Sequence, residues 1–388
     1  MQRGLLGLPM ALVAYSATAA NWEVAPRLEA GYTYSDNYRL DLPGQEINVS
    51  GAEADAAVTF RTVDPRTTFE VTPRINSTYF PDESDEDSND YYLNAGFSDS
   101  TPRRRISVPF NYSQEDVVRS ELPTSAEGGD LGEPTEGDSG RFVERNRRDF
   151  FRLAPSFSYD VSERYRVELD AHYLQADFDN QRSGAQQDFS EVGAGAGFGF
   201  LTSQRSALLF QALVFQYDTA TTTDAYGGAV EWNTQFSPSS RAYLRLGAQQ
   251  TKPEDGASDT NVIAGAGGQW ASQRNTLFLD FTRSVGPVSA GTVVERHQLR
   301  LRLDHDVSQR FALRAGARLS RDEELDSGGT YPKREYAIGE LGFEWRWMRT
   351  VSLVGAYNYR WQEYEDEPSD ASASAFMIGI VFEPKRAD

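Results

Sequence analysis

The chain has no cysteine, and its 388 residues include only three histidines. Without thiols it can build neither a disulfide scaffold nor a thiolate metal site, and the same absence suits a protein that crosses an oxidising envelope compartment. Long apolar runs are missing as well. No stretch after residue 20 offers the roughly 20 consecutive apolar residues that a spanning helix needs, and mean hydropathy is low at -0.57. Basic residues are the scarcer charge, 38 Lys and Arg against 58 Asp and Glu, for a net charge of -20. No nucleic acid is expected among its partners.

What is present is alternation, punctuated by tight turns that carry an arginine. These are Asp64-Pro65-Arg66, Thr101-Pro102-Arg103, Ser162-Glu163-Arg164, Ser203-Gln204-Arg205, Ser239-Ser240-Arg241, Ser272-Gln273-Arg274, Ser308-Gln309-Arg310 and Met348-Arg349. Two strand-like segments and a longer polar loop separate one turn from the next, so the repeating unit is a β-hairpin of about 35–45 residues. Short turns on one side and long loops on the other are the layout of a transmembrane β-barrel, which can cross lipid with a polar composition because only alternate residues face the acyl chains. A soluble sandwich would have shorter strands and no asymmetry between its connections.

The segments are 27–36, 52–62, 67–80, 90–98, 105–114, 148–160, 165–176, 189–201, 206–217, 223–236, 241–250, 260–271, 276–284, 292–306, 311–321, 335–347, 350–364 and 373–383. Eighteen antiparallel, up-and-down strands place both chain ends on the short-turn side, which is periplasmic in bacterial outer-membrane barrels. Arg3, the apolar run from Leu5 to Ala14 and the small residues Ala17-Thr18-Ala19-Ala20 have the layout of an export signal cut near Ala20. Residues 21–388 then form the barrel, in the outer membrane of a Gram-negative cell, surrounded by lipid and lipopolysaccharide and inserted by the barrel-assembly machinery.

Period-two geometry separates the faces. Leu299, Leu301 and Leu303 share one parity, while Arg296, Gln298, Arg300, Arg302 and Asp304 share the other. Phe311, Leu313, Ala315, Ala317 and Leu319 are expected to face lipid, with Arg314 and Arg318 inside. Ala337, Gly339, Leu341, Phe343, Trp345 and Trp347 are set against Glu340, Glu344 and Arg346. The two tryptophans lie beside a short turn, as interfacial aromatics do. Arg300, Arg302, Arg314 and Arg318 lie on adjacent strands, and with Arg346 they form a candidate substrate-binding strip that would attract anionic solute. Pairing with carboxylates in a cross-lumen network is the alternative.

The acidic charge collects in loops: Pro81 to Asp87, Glu115 to Asp138, Asp322-Glu323-Glu324 and Glu363 to Asp370. They are expected to form a solvated, mobile rim, since none has the spacing of a calcium loop. The third long loop, 115–147, is long enough either to fold into the lumen as a constriction or to remain a mobile linker. Catalysis is not expected. His172 points inward, His297 has lipid-facing parity near the outer end and His305 lies near the short turns, so no Ser/His/acid set can be assembled. No catalytic residue, metal or cofactor is assigned.

The start of the barrel, Trp22-Glu23-Val24-Ala25-Pro26 with Gly31-Tyr32-Thr33-Tyr34-Ser35-Asp36-Asn37, resembles the β-barrel porin family found with exopolysaccharide and capsule loci. Some members of that family accompany PEP-CTERM sorting systems. The hairpin layout extends the resemblance over nearly the whole mature chain, while the motif itself is confined to these first residues. The resemblance implies an eighteen-strand outer-membrane barrel that conducts a secreted polysaccharide together with a periplasmic polysaccharide-export protein. A diffusion porin for small or anionic solutes and a non-transporting anchor for surface matrix are the alternatives. Asp36 and Asn37 fall at the outer end of the first strand, where a turn or rim role is the simplest account. One departure is the C-terminus: outer-membrane barrels end on an aromatic residue, whereas Phe382 is followed by six more residues.

Overall fold

Alternating sequence gives extended strands, and here every strand finds an antiparallel partner on both sides. The computed structural model describes residues 21–118, 146–179, 186–254, 256–325 and 331–384. Its strand segments are β1 (Asn21–Ser35), β2 (Val49–Val63), β3 (Thr67–Tyr79), β4 (Ser88–Ser100), β5 (Arg104–Asp116), β6 (Arg147–Leu153), β7 (Ser156–Asp160), β8 (Tyr165–Phe178), β9 (Phe189–Ser203) and β10 (Ser206–Asp218). They continue as β11 (Thr222–Ser237), β12 (Ser240–Pro253), β13 (Asp259–Ala271), β14 (Asn275–Val288), β15 (Thr292–Ser308), β16 (Phe311–Glu324), β17 (Arg334–Arg346), β18 (Val351–Tyr364) and β19 (Ala371–Phe382). The last strand pairs with the first, from Leu28↔Phe382 to Ser35↔Ala375, so the sheet closes into a barrel without an edge.

β6 and β7 are two halves of one barrel strand, since both pair with β5 and with β8. The barrel therefore has eighteen strands. The break falls at Ala154-Pro155, where proline has no N–H to give the ladder. Around it the Ala154 N–H still reaches Pro109 O at 3.2 Å, and the Pro155 carbonyl accepts from the Ala171 N–H at 3.0 Å.

The short turns repeat one chemistry. A Ser, Thr or Asp oxygen at the head of the turn accepts the N–H groups that the reversal frees. Ser162 Oγ takes those of Arg164 and Tyr165, Ser203 Oγ that of Arg205, Ser308 Oγ those of Arg310 and Phe311, and Asp64 Oδ1 that of Arg66. The arginine's carbonyl then accepts from the adjoining hairpin: Arg103 O from Asp160, Arg164 O from Leu201, Arg274 O from Asp306 and Arg310 O from Arg346. Each turn is thus tied to the next around the rim. Cysteines introduced at Ser84, in the loop between β3 and β4, should react with an impermeant maleimide on intact cells, whereas cysteines at Gln204 or Gln309 should not. Labelling of the turn set would invert the orientation.

The faces follow parity. Leu299, Leu301, Leu303, Leu313, Leu319, Leu341, Phe376, Ile378, Ile380 and Phe382 all expose apolar surface outward, as a wall against lipid must. Trp22, Trp270, Trp345 and Trp347 crowd the short-turn end of that face, and Tyr79, Tyr91, Tyr226 and Tyr359 the loop end. Beyond the tyrosines the outward face turns ionic. Arg283 and His297 both bond Glu295, at 2.7 Å each, and Arg321 pairs with Glu323.

The lumen is narrowed on one side. β14 touches β9 and β10, neither of which is its neighbour in the sheet. There Tyr217 OH donates to Val285 O at 3.2 Å and accepts from Gln249 Nε2 at 3.0 Å. The loop after β14 also ties across, Gln187 N–H reaching Ser289 O at 2.6 Å.

The rim is more ordered than acidic composition alone predicts. Ser84–Glu86 forms a 3-10 turn, Glu86 is buried against Arg39, Asp322 is buried in a two-point pair with Arg296, and Glu115 is buried against Arg148 at 2.6 Å. Each of these carboxylates found a guanidinium on a neighbouring strand or loop, a pairing that a count of loop charge does not contain. Of the third long loop, residues 119–145 lie outside the described residues, as do the export-signal region 1–20 and residues 385–388.

Candidate functional site

The five arginines of the strip come together on one wall. β15, β16 and β17 are adjacent, with Arg300 opposite Arg318, Asp304 opposite Arg314, and Arg302 opposite Gly316. Arg300 Nη2 donates to Asp280 Oδ2 at 2.7 Å, and its guanidinium lies 5.4 Å from the Phe278 ring. Tyr243 OH donates to the other oxygen of Asp280 at 2.8 Å. To reach it from β12, the tyrosine ring crosses Gly265 and Gly267 on β13. A Cβ at Gly267 would sit 2.8 Å from that ring and 2.7 Å from Leu279 O, so only glycine leaves the path clear.

Further along the wall, Arg302 Nε donates to Asp304 Oδ2 at 2.8 Å, and Arg314 lies 3.7 Å from both Asp304 and Glu344. Arg346 is 3.9 Å from Glu344 and donates to Gln309 O at the periplasmic turn. Arg318 lies 5.3 Å from the Tyr336 ring, against which Arg334 also packs at 4.8 Å. Among the described residues, carboxylates of the same wall pair with Arg300, Arg302, Arg314 and Arg346. Both charges are half-buried at Arg302–Asp304, where pairing is weak, and fully buried at Arg300–Asp280, where it is structural.

Across the lumen, β8 to β11 present Glu168, Asp170 and Glu231, close enough to act on one another, with Arg166 bonded to Asp160 at 2.6 Å. His172 bonds Glu191 at 2.6 Å and covers Gly193, while His305 bonds Asn275 at 2.6 Å near the short turns. The three histidines remain apart. Among the described residues no cluster of His, Cys, Asp and Glu has the makings of a metal site.

A feature that the sequence reading missed is the first outer loop, residues 36–48, which folds inward onto β17, β18 and β19. Asp36 Oδ1 accepts the Ser374 N–H at 2.7 Å. Asn37 is buried, its side-chain amide donating to Asp41 O and Ser372 O at 2.8 and 3.1 Å and accepting the Asp41 N–H at 2.9 Å. The rim role expected for these two residues is thus that of a staple, holding the loop to the last strand. From the wall, Arg360 Nη2 donates to Tyr38 O and Asn37 O at 2.7 and 3.1 Å, and Gln362 Nε2 to Leu40 O at 3.0 Å. Leu40 drops its side chain among the inward residues Tyr336, Ile338, Ala371 and Ala373. Tyr38 packs with Phe80, Val49 and Val118, so the base of the third loop closes on the first.

This docking is held against internal costs. Leu40 has φ +63°, a left-handed conformation that costs a branched residue about 1–2 kcal/mol. Burial raises the Asp41 carboxyl above its ordinary value. Arg360 is 1% exposed, it meets only neutral carbonyls, and its Nε and Nη1 are buried with no hydrogen-bond partner among the described residues. The signal for Arg360 was present in the sequence: Tyr357, Tyr359 and Trp361 mark the lipid parity of β18 and so leave Asn358, Arg360 and Gln362 inside. Nothing local marked the loop, because its hydrogen-bond partners on the wall, Arg360, Gln362 and Ser372, lie at least 322 residues away.

No family model matches the chain, and no curated protein matches it. Among solved structures, OpdO of Pseudomonas aeruginosa aligns over 94% of this chain and 98% of its own at 11% identity, with a TM-score of 0.48. The outer membrane protein OpdK of the same organism aligns over 93% and 99% at 11% identity and a TM-score of 0.47. The FrpB iron transporter of Neisseria meningitidis aligns over 94% and 81% at 9% identity and a TM-score of 0.46. The class assigned to this chain, an eighteen-strand transmembrane barrel of the outer-membrane type, rests on its own closed sheet, apolar outer face and aromatic girdles.

Proposed function

We propose that the barrel is an outer-membrane channel whose solute is a secreted polysaccharide bearing negative charge. The observation that carries this reading is the height of the arginine wall. It begins at Arg346 beside the periplasmic turn, rises through Arg314, Arg302, Arg318 and Arg300, and continues to Arg334 and Arg360 near the outer loops. From Arg346 to Arg334 on β17 that is roughly 40 Å of extended strand. Arg300, Arg334 and Arg360 lie buried in the wall, while Arg346, Arg314, Arg302 and Arg318 form a rail of cations partly open to the passage. Such a rail suits a chain with repeating charge, for which each step forward exchanges one contact for the next. A single small anion needs only one attractive constriction. The periplasmic end of the rail would receive the polymer from a periplasmic export partner.

Replacing Arg302, Arg314 and Arg318 together by glutamine tests the rail. Arg300 is kept, because its guanidinium neutralises the buried Asp280. The folded variant is expected to lower surface polysaccharide in the native cell and to shift the reversal potential of the purified channel toward cations. Normal secretion with unmoved selectivity would refute it.

A further inference from the structure

We propose that loop 36–48 is a displaceable plug, seated in a subsite of the pore wall that takes the carboxylate-bearing sugar units of the exported chain. The inference rests on the channel reading above and names a binding place within it. In the register around the wall, Arg300, Arg318, Ile338 and Arg360 follow one another on β15, β16, β17 and β18. The subsite is therefore the outer continuation of the arginine strip. What fills it is the protein's own backbone: the carbonyls of Asn37, Tyr38 and Leu40 accept from Arg360 and Gln362.

The match is incomplete in a way that points to another occupant. Two neutral carbonyls share Arg360 Nη2, the nitrogen common to both edges that a carboxylate grips with two parallel bonds, while the other member of each edge, Nε or Nη1, is buried and idle among the described residues. Beside them the Asn358 side-chain oxygen is also buried and without a partner, an acceptor for a sugar hydroxyl. Leu40 covers Tyr336, Ile338, Ala371 and Ala373, an aromatic and aliphatic patch of the kind that the C–H face of a sugar ring packs against. A uronate unit would satisfy all three features at once, whereas the loop satisfies one and holds Leu40 in a left-handed conformation to do so. The loop thus occupies the subsite at a cost that an acidic glycan would relieve, and an arriving chain displaces it by competition for Arg360.

The absence of cysteine makes the test clean. Leu40→Cys and Ala373→Cys in one chain, joined by a short reducible bis-thiosulfonate bridge, should lower the conductance of the purified barrel in a planar bilayer severalfold. Dithiothreitol should restore it, and neither single cysteine should respond. A folded barrel in which the pair cannot be bridged, or in which the bridge leaves conductance unchanged, overturns the plug. For the subsite, trigalacturonate should block the ion current of the unbridged channel. The block should weaken about tenfold or more in Arg360→Gln, as expected for loss of hydrogen bonds to a charged group, while neutral maltotriose blocks weakly in both. Gln362→Ala serves if Arg360→Gln does not give a heat-modifiable, folded barrel. Equal block by the charged and neutral trisaccharides, or equal block of wild type and variant, overturns the subsite. A barrel that passes no current with or without the bridge refutes the channel reading itself, an outcome distinct from a conducting barrel indifferent to the bridge.

Discussion

Asp280→Ala is expected to destabilise the barrel by about 3–5 kcal/mol, the range for removing one partner of a buried ion pair. Arg300 is only 6% exposed and Asp280 1%, so water cannot replace the carboxylate. The same change takes the acceptor from Tyr243, whose ring is fixed over Gly265 and Gly267. Urea unfolding of the barrel in lipid vesicles reads the loss. Asp280→Leu combined with Arg300→Met should recover most of it, because an apolar pair leaves no charge to solvate. A cost below about 1 kcal/mol for the single variant would mean that the pair behaves as a surface ion pair and that the lumen is wet to its wall.

Leu301→Arg should impair assembly far more than Arg302→Leu, though the two positions are consecutive. Leu301 faces outward and is 42% exposed, where an arginine at the middle of the bilayer costs roughly 2–4 kcal/mol. Arg302 faces the lumen and its pair with Asp304 is partly open to water, so its loss should cost no more than about 1 kcal/mol. Heat-modifiable migration on gels, after refolding into vesicles, measures the folded fraction of each. Equal effects would mean that the assignment of faces is wrong.

The strand layout was legible because it depends on two local signals, the side-chain period of two and the turn residues. Segment 311–321 was placed by Leu313, Arg314, Leu319 and their neighbours, and the observed β16 begins at the same residue. The strands nevertheless run further outward than alternation marks, β16 to Glu324 and β14 to Val288 rather than 284. Beyond the lipid both faces are polar or mixed, so alternation fades while backbone pairing continues. Segment 148–160 reads as one strand by pattern, and the structure splits it at Pro155 without changing the barrel's strand count.

Within the site, the arginines of the strip were visible from parity, and so was the inward place of Glu344. Which carboxylate serves which arginine was not, because that depends on register between strands. Asp304 serves both Arg302 and Arg314 only because Asp304 stands opposite Arg314 in the ladder. The inward fold of loop 36–48 was further out of reach. Its sequence is short and polar, and the third loop offered the more obvious length for a constriction. The deciding contacts come from Arg360, Gln362, Ser372 and Ser374 at the far end of the chain, brought beside the first strand only when the barrel closes.

The sequence by itself determined the class of molecule, the alternation of the strand faces and, to within about two residues, the short turns, the one expected at Ser239-Ser240-Arg241 lying at Pro238-Ser239. All three follow from residue type at fixed local spacing. Only the tertiary structure decided which charges neutralise one another and which loop enters the pore. Both depend on closure of the sheet, which places residues 36–48 against residues 360–374 and leaves one buried guanidinium, that of Arg360, facing backbone carbonyls instead of a carboxylate.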